Sequence, residues 1–228
     1  MSISNGDLLL STLFVIGLFQ FFWLSVVLVR KGLNPSSVRL SLIILFGVWV
    51  LIWPAYDNTL IVLLSLTLLT IPFVYALRSS SPFARHLKLC WHTLPAQTKQ
   101  PNPWIVVTIS LLICASLFHL APELGFGLAL SFCFAFSAAD LIDKSGFGKR
   151  LGFSKNPQQT LKGHLIFVLS TSLICAWSLQ VYHNMDWQQF LIATMIVGLV
   201  GSMVRAMVAT GWNLPLSILG MGTALWLL

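Results

Sequence analysis

Residues 8–29, LLLSTLFVIGLFQFFWLSVVLV, run for 22 positions without a charge and are closed by Arg30-Lys31. A helix needs about 20 mostly apolar residues to cross a hydrocarbon core roughly 30 Å thick, so this stretch predicts a transmembrane helix. It is too long for a signal-peptide core and lacks a basic leading segment, so it reads as a span of the mature protein. Outward from it, the pattern recurs at 40–56, 60–77, 104–121, 124–140, 164–182, 189–207 and 214–228. The last run is short. The expected fold is therefore an all-α, polytopic membrane bundle of about eight transmembrane helices, or seven if that run does not span. Composition points the same way. Of 228 residues, 57% are hydrophobic and only 8% charged, against about 25% charged in soluble domains. That excludes a soluble enzyme, a secreted disulfide scaffold and a disordered tail. With neither an internal repeat nor a low-complexity segment, residues 1–228 read as a single transmembrane domain.

Thirteen Lys and Arg face six Asp and Glu, a formal net charge of +7. The bases lie in short links between apolar runs, which points to topology and to anionic phospholipid head groups or phosphates, and not to nucleic acid. Eight spans put all thirteen on one side, leaving Asp7, Asp57, Glu123 and Asp186 on the other. By the positive-inside rule the basic side is cytoplasmic and both termini lie opposite. Trp53, Trp104, Trp187 and Trp212 fall near span ends and read as interfacial anchors. Cys90, Cys114, Cys133 and Cys175 show no CxxC spacing and read as small buried residues. His119 reads as hydrogen-bonded structure.

Two links are long enough to hold a site, 78–103 and 141–163. In the first, His86, Cys90 and His92 make an incomplete metal set among bases, and an amphipathic segment lying on anionic lipid is the simpler reading. The second is richer: Ser137–His164 reads SAADLIDKSGFGKRLGFSKNPQQTLKGH. Asp140 and Asp143, three apart, share a face if the fifth helix continues through them. Carboxylates at a membrane boundary are costly and tend to be functional, and Mg²⁺ bound with phosphates needs only one or two. Gly146, Gly148 and Gly152 alternate with Lys149, Arg150 and Lys155, giving backbone donors and charge suited to phosphate oxygens. The same pattern also suits a basic loop that merely sets topology. Arg205, deep in the last turn of the seventh span, either snorkels to the interface or pairs with Asp140, Asp143 or a bound phosphate.

The run from Ala139 to Gly163 resembles the core of the membrane-embedded CTP-using lipid enzymes: the polyprenol, dolichol and phytol kinases and the related phosphatidate cytidylyltransferases. Ala139-Asp140 ends a span as theirs does. Phe147-Gly148-Lys149 follows, and Gln159-Thr160-Leu161-Lys162-Gly163 stands where they have Lys-Thr-x-Glu-Gly. Asn156-Pro157 resembles the Ser-Pro of the cytidylyltransferases. Arg30-Lys31 and Asn213-Leu214-Pro215 are similar to kinase elements. Departures accompany the matches: Gln159 for Lys, Lys162 for Glu, Asn34 for His, Trp212 for Asp, and Arg205 where an acid is usual.

The resemblance implies CTP-dependent phosphorylation of a membrane isoprenoid alcohol at a cytoplasmic site. Asp140 and Asp143 would be catalytic and hold Mg²⁺. Gly146, Gly148, Lys149, Arg150, Lys155, Thr160, Lys162, Gly163, Arg205 and Asn213 would hold nucleotide phosphates. Phosphatidate cytidylyltransferase-like synthesis of a CDP-lipid is one alternative. A non-catalytic descendant that binds anionic lipid, nucleotide or a membrane partner, or forms a homo-oligomer, is the other. The two charge reversals weaken the case for metal and strengthen the case for an anion.

Overall fold

The computed structural model describes residues 4–91, 101–146, 148–183, 186–209 and 211–227. Among them the regular structure is helical throughout, with a lone bridge between Arg150 and Thr160. Seven stretches are long and apolar enough to cross a membrane, and the chain is a multi-pass membrane protein. The eighth candidate, α11 (Asn213–Leu227), has 15 residues. At 1.5 Å per residue it extends only about 22 Å, short of a full hydrocarbon core.

Local chemistry sets the boundaries. Helix α1 (Asn5–Arg30) starts in a capping box, in which the Ser4 side chain accepts from Asp7 N–H and the Asp7 side chain accepts from Ser4 N–H. Asn34 caps α2 (Pro35–Val50), with Pro35 in the first turn, where its missing donor costs nothing. A short 3-10 turn, Trp53–Ala55, prolongs that span. The third span is broken into α3 (Thr59–Thr67) and α4 (Thr70–Arg78). Pro72 explains the break, because its ring excludes the carbonyl four residues back, that of Leu68. Helix α5 (Pro82–Trp91) is short and amphipathic: Ala84, Leu87, Cys90 and Trp91 are buried and Arg85 is exposed. Its apolar face rests on α1, α2 and α4.

Helix α6 (Pro103–Leu120) turns sharply at Ala121 into α7 (Pro122–Leu130). The approach is so close that a Cβ on Gly125 would run into the Phe118 backbone. From α7 the chain passes through a π-helical segment, Ser131–Phe136, into α8 (Ser137–Ser145). This continuous span is the axis of the bundle, 72% buried over its apolar window against 29–39% for the other six. Helices α9 (Leu161–His183), α10 (Trp187–Met207) and α11 pack in sequence, and α11 returns to α6.

Two tryptophans depart from the expectation of interfacial anchors. Trp53 is fully buried, its indole 5.4 Å from Trp49 and 5.1 Å from Phe118, and Trp104 is buried against Phe22 and Trp91. Neighbouring aromatic rings offered these indoles more contact than the interface did. Trp212 is exposed. The side chain of Trp187 lies outside the described residues.

Contacts also separate the charges. At one end Asp57 N–H donates to Asp7 Oδ1 at 2.9 Å, Thr59 meets His119 Nδ1 at 2.8 Å, and Ser178 donates to the Glu123 carbonyl at 2.6 Å. At the other, Lys144 Nζ donates to Ser36 Oγ at 2.7 Å and Arg39 Nη1 to the Cys90 carbonyl at 3.1 Å.

Candidate functional site

Helix α8 does continue through both acids, as their spacing requires, and stops at Gly146, whose left-handed φ of 71° favours glycine. The following loop folds back on itself. Leu161 N–H donates to the Lys149 carbonyl at 3.0 Å and Leu151 N–H to the Gln159 carbonyl at 3.2 Å. The Asn156 side chain accepts from Gln158 N–H at 3.1 Å, turning the chain at Pro157. Lys155 N–H donates to the Ala206 carbonyl at 2.9 Å, which fastens the loop to the end of α10.

Thr160 joins loop to helix. Its Oγ1 accepts from Gly163 N–H at 3.1 Å, capping α9. Its own N–H and O–H both donate to Asp143 Oδ1, each at 2.8 Å. A Cβ on Gly163 would collide with that same carboxylate oxygen, so only glycine lets α9 start this close to α8.

Arg205 completes the arrangement. A single nitrogen, Nη2, lies 2.7 Å from Asp140 Oδ1 and 2.7 Å from Asp143 Oδ2. The Arg205 and Asp143 side chains are 1% and 5% exposed and that of Asp140 is 44% exposed. The guanidinium carbon sits 5.9 Å from the centre of the Phe167 ring. The buried Nη1 has no hydrogen-bond partner among the described residues. Of the two readings of Arg205, pairing with the acids is the one observed.

Gln159, which reads in sequence only as a departure from a pattern, and His164 form a second polar link. Gln159 Nε2 donates to the Arg205 carbonyl at 3.0 Å, which fixes its Oε1 as the acceptor toward Ser154 Oγ at 2.5 Å and His164 Nε2 at 3.2 Å. An oxygen there can only accept, so the His164 proton is on Nε2. In the neutral imidazole Nδ1 then accepts from Ser202 Oγ at 2.7 Å. No sequence motif announces this chain of bonds, since its members are adjacent only through folding.

The structure thus gathers Asp140, Asp143, Thr160, Gly163 and Arg205. Thr160 and Gly163 are buried and committed to Asp143 and to the cap. Gly146 N–H closes the end of α8, and Gly148 lies against the Thr160 and Lys162 side chains. Lys149, Arg150, Lys155 and Lys162 are exposed and meet no carboxylate among the described residues. Asn213 opens α11 with its side chain accepting from Gly211 N–H at 3.2 Å, apart from the triad. Phe147 lies outside the described residues.

The acidic pair does not fit Mg²⁺. A divalent cation wants carboxylate oxygens at about 2.0–2.1 Å in an octahedron. Here Arg205 already bridges both acids, and Asp143 Oδ1 is taken by two Thr160 donors. Arg39 and Lys144 also lie within electrostatic reach of Asp140, so three cations surround two carboxylates. The other metal reading has no complete set either: among the described residues no three His, Cys, Asp or Glu converge. His86 Nδ1 is paired with the Pro82 carbonyl at 2.7 Å, and His92 lies outside the described residues. Burial pushes the Cys90 thiol up to about 12, with Arg39 pulling the other way.

An open apolar groove of about 680 Å³ runs between α1, α4 and α5, lined by Leu68, Phe83 and the exposed Phe19, Trp23, Ile71 and Tyr75 among others. The chain matches no family model, no curated protein and no solved structure.

Proposed function

We propose that this chain binds a phosphate group of a lipid or nucleotide at the basic end of its bundle, as a non-catalytic relative of the CTP-dependent lipid kinases. The observation that carries this reading is the ion triad: among the described residues, the two acids at that end, Asp140 and Asp143, both pair with Arg205. Lys149, Arg150, Lys155 and Lys162 then remain as exposed, unneutralised charge that attracts anions. By the positive-inside rule that end faces the cytoplasm, with the N-terminus opposite. The open apolar groove beside α5, within the roughly 300–1,000 Å³ typical of ligand sites, supports a lipid as one ligand.

A second reading rests on Asp140, whose Oδ2 has no partner among the described residues and whose side chain is 44% exposed. In it the chain is a CTP-dependent kinase of an isoprenoid alcohol. The four loop bases hold the triphosphate, and the lipid hydroxyl displaces CDP from the γ-phosphorus. Phosphoryl transfer depends mainly on positioning and charge neutralisation, which bases supply in part. Cytidylyl transfer to a lipid phosphate would use the same loop.

The test uses the purified protein in mixed micelles with extracted lipid and CTP labelled at either the α- or the γ-phosphate. Binding of CTP or of anionic lipid without transfer of either label is the expected result. Transfer of γ-label to lipid would establish the kinase, and transfer of α-label the cytidylyltransferase. Absence of both binding and transfer would overturn every one of these readings.

A further inference from the structure

Beside the triad lies a second group of charges that the loop motif does not include. Ser36 and Arg39 are one turn apart at the start of α2, and Asp140 and Lys144 are one turn apart near the end of α8. Lys144 Nζ donates to Ser36 Oγ at 2.7 Å, across 108 positions of sequence. Arg39 Nη1 donates to the Cys90 carbonyl at the end of α5, at 3.1 Å. Lys144 is exposed and Ser36 and Arg39 are half-buried, so the niche is open to its surroundings.

Its charges do not balance. Arg205, Arg39 and Lys144 sum to +3 and Asp140 and Asp143 to −2, a net +1. Arg205 already bridges both acids, so Arg39 and Lys144 face each other as like charges with only a shared claim on Asp140. The first turn of α2 adds the positive end of a helix dipole. A monoanion with several oxygens would cancel the excess and could accept from Arg39, Lys144 and Ser36 together. A dianion would overshoot it.

The geometry points to a binding niche for a phosphodiester monoanion between the start of α2 and the end of α8, occupied by the head group of an anionic membrane phospholipid. The lipid assignment follows from position, because both helices are membrane-spanning and end at this level. The niche rests on the phosphate-binding reading above and gives it a second location, separate from the four loop bases.

The experiment compares the full-length wild type with R39Q/K144Q. Retention of phosphatidylglycerol over phosphatidylcholine is read by native mass spectrometry, and CTP binding is read separately. Losing two charge-assisted hydrogen bonds should weaken phosphatidylglycerol retention about ten-fold or more, with CTP binding little changed. Unchanged retention would overturn the niche and leave the loop reading standing. Equal loss of both ligands would overturn the lipid assignment and give the niche to the nucleotide. A wild type that prefers neither ligand would overturn both proposals. If the double variant does not fold, Ser36→Ala, which removes one donor without a charge, must lower retention by itself.

Discussion

Arg205 Nη2 lies 2.7 Å from Asp143 Oδ2 although 62 residues separate them, and the same nitrogen reaches Asp140. That contact holds the last turn of α10 against the end of α8. Through Asp143 and Thr160 it also fixes the first turn of α9. Three helices therefore meet on one carboxylate, and the basic loop between them is positioned as a consequence.

Breaking the triad on one side should be expensive. Arg205→Met leaves Asp143 buried and uncompensated, a defect worth about 3–5 kcal/mol. Arg205→Met combined with Asp140→Asn and Asp143→Asn removes the charges altogether, and should recover much of that loss. Thermal midpoints in detergent for the single and triple variants decide the matter; a triple variant no better than the single one would show that the ion pairs are not the cause.

Gly163→Ala places a methyl group where Asp143 Oδ1 sits. Either α9 or the carboxylate must move, and the two Thr160 bonds weaken with it. A loss of about 1–3 kcal/mol is expected, as for other overpacked sites. Gly152→Ala, with open space around the Cβ, is the control and should leave the midpoint nearly unchanged.

Much of this arrangement could be read from sequence, and what could not has a physical reason. Apolar runs mark the spans because the bilayer demands length and leaves no polar alternative. The three-residue spacing of Asp140 and Asp143 put them on one face, and the cost of a charge in a span made pairing with them one of two readings of Arg205. Hidden from sequence were the contacts that only tertiary packing creates, such as Lys144 with Ser36 and Gln159 with His164. Thr160 was misleading in a different way. A threonine beside lysines suits a phosphate, yet its hydroxyl faces inward to Asp143 because α9 needs a cap at that residue. The buried indoles of Trp53 and Trp104 show the same limit, since depth along a span does not reveal which side of a helix meets protein.

Cys90 should resist alkylation in the folded protein. It is fully buried, and burial raises its thiol to about 12. A raised acid of this kind lends stability that is complete below the unfolded value, about 8.5, and that is lost as pH rises through that value toward 12. Maleimide labelling followed by mass spectrometry at pH 7 and pH 9 should find Cys90 unmodified at both, and modified once the protein is denatured. Rapid labelling of Cys90 at pH 7 in the folded state would contradict the burial.

Gln159 and Arg205 offer the sharpest test of whether the guanidinium keeps a metal ion from Asp140 and Asp143. Gln159→Lys alone would bury an ammonium beside Arg205, with Asp143 already saturated, and should cost roughly 3 kcal/mol or more. Arg205→Glu alone would press a third carboxylate against Asp140 and Asp143 and should be at least as damaging. Made together, the substitutions set the new cation near the new acid, and the double-mutant cycle should show a favourable coupling of about 1–3 kcal/mol. The pair also frees Asp140 and Asp143 from the guanidinium. The doubly substituted protein should therefore gain thermal stability from added Mg²⁺, whereas the wild type should melt identically in Mg²⁺ and in EDTA. A wild type already stabilised by Mg²⁺ would mean that Arg205 yields its place to the ion, and the acids would then have to be read as ligands after all.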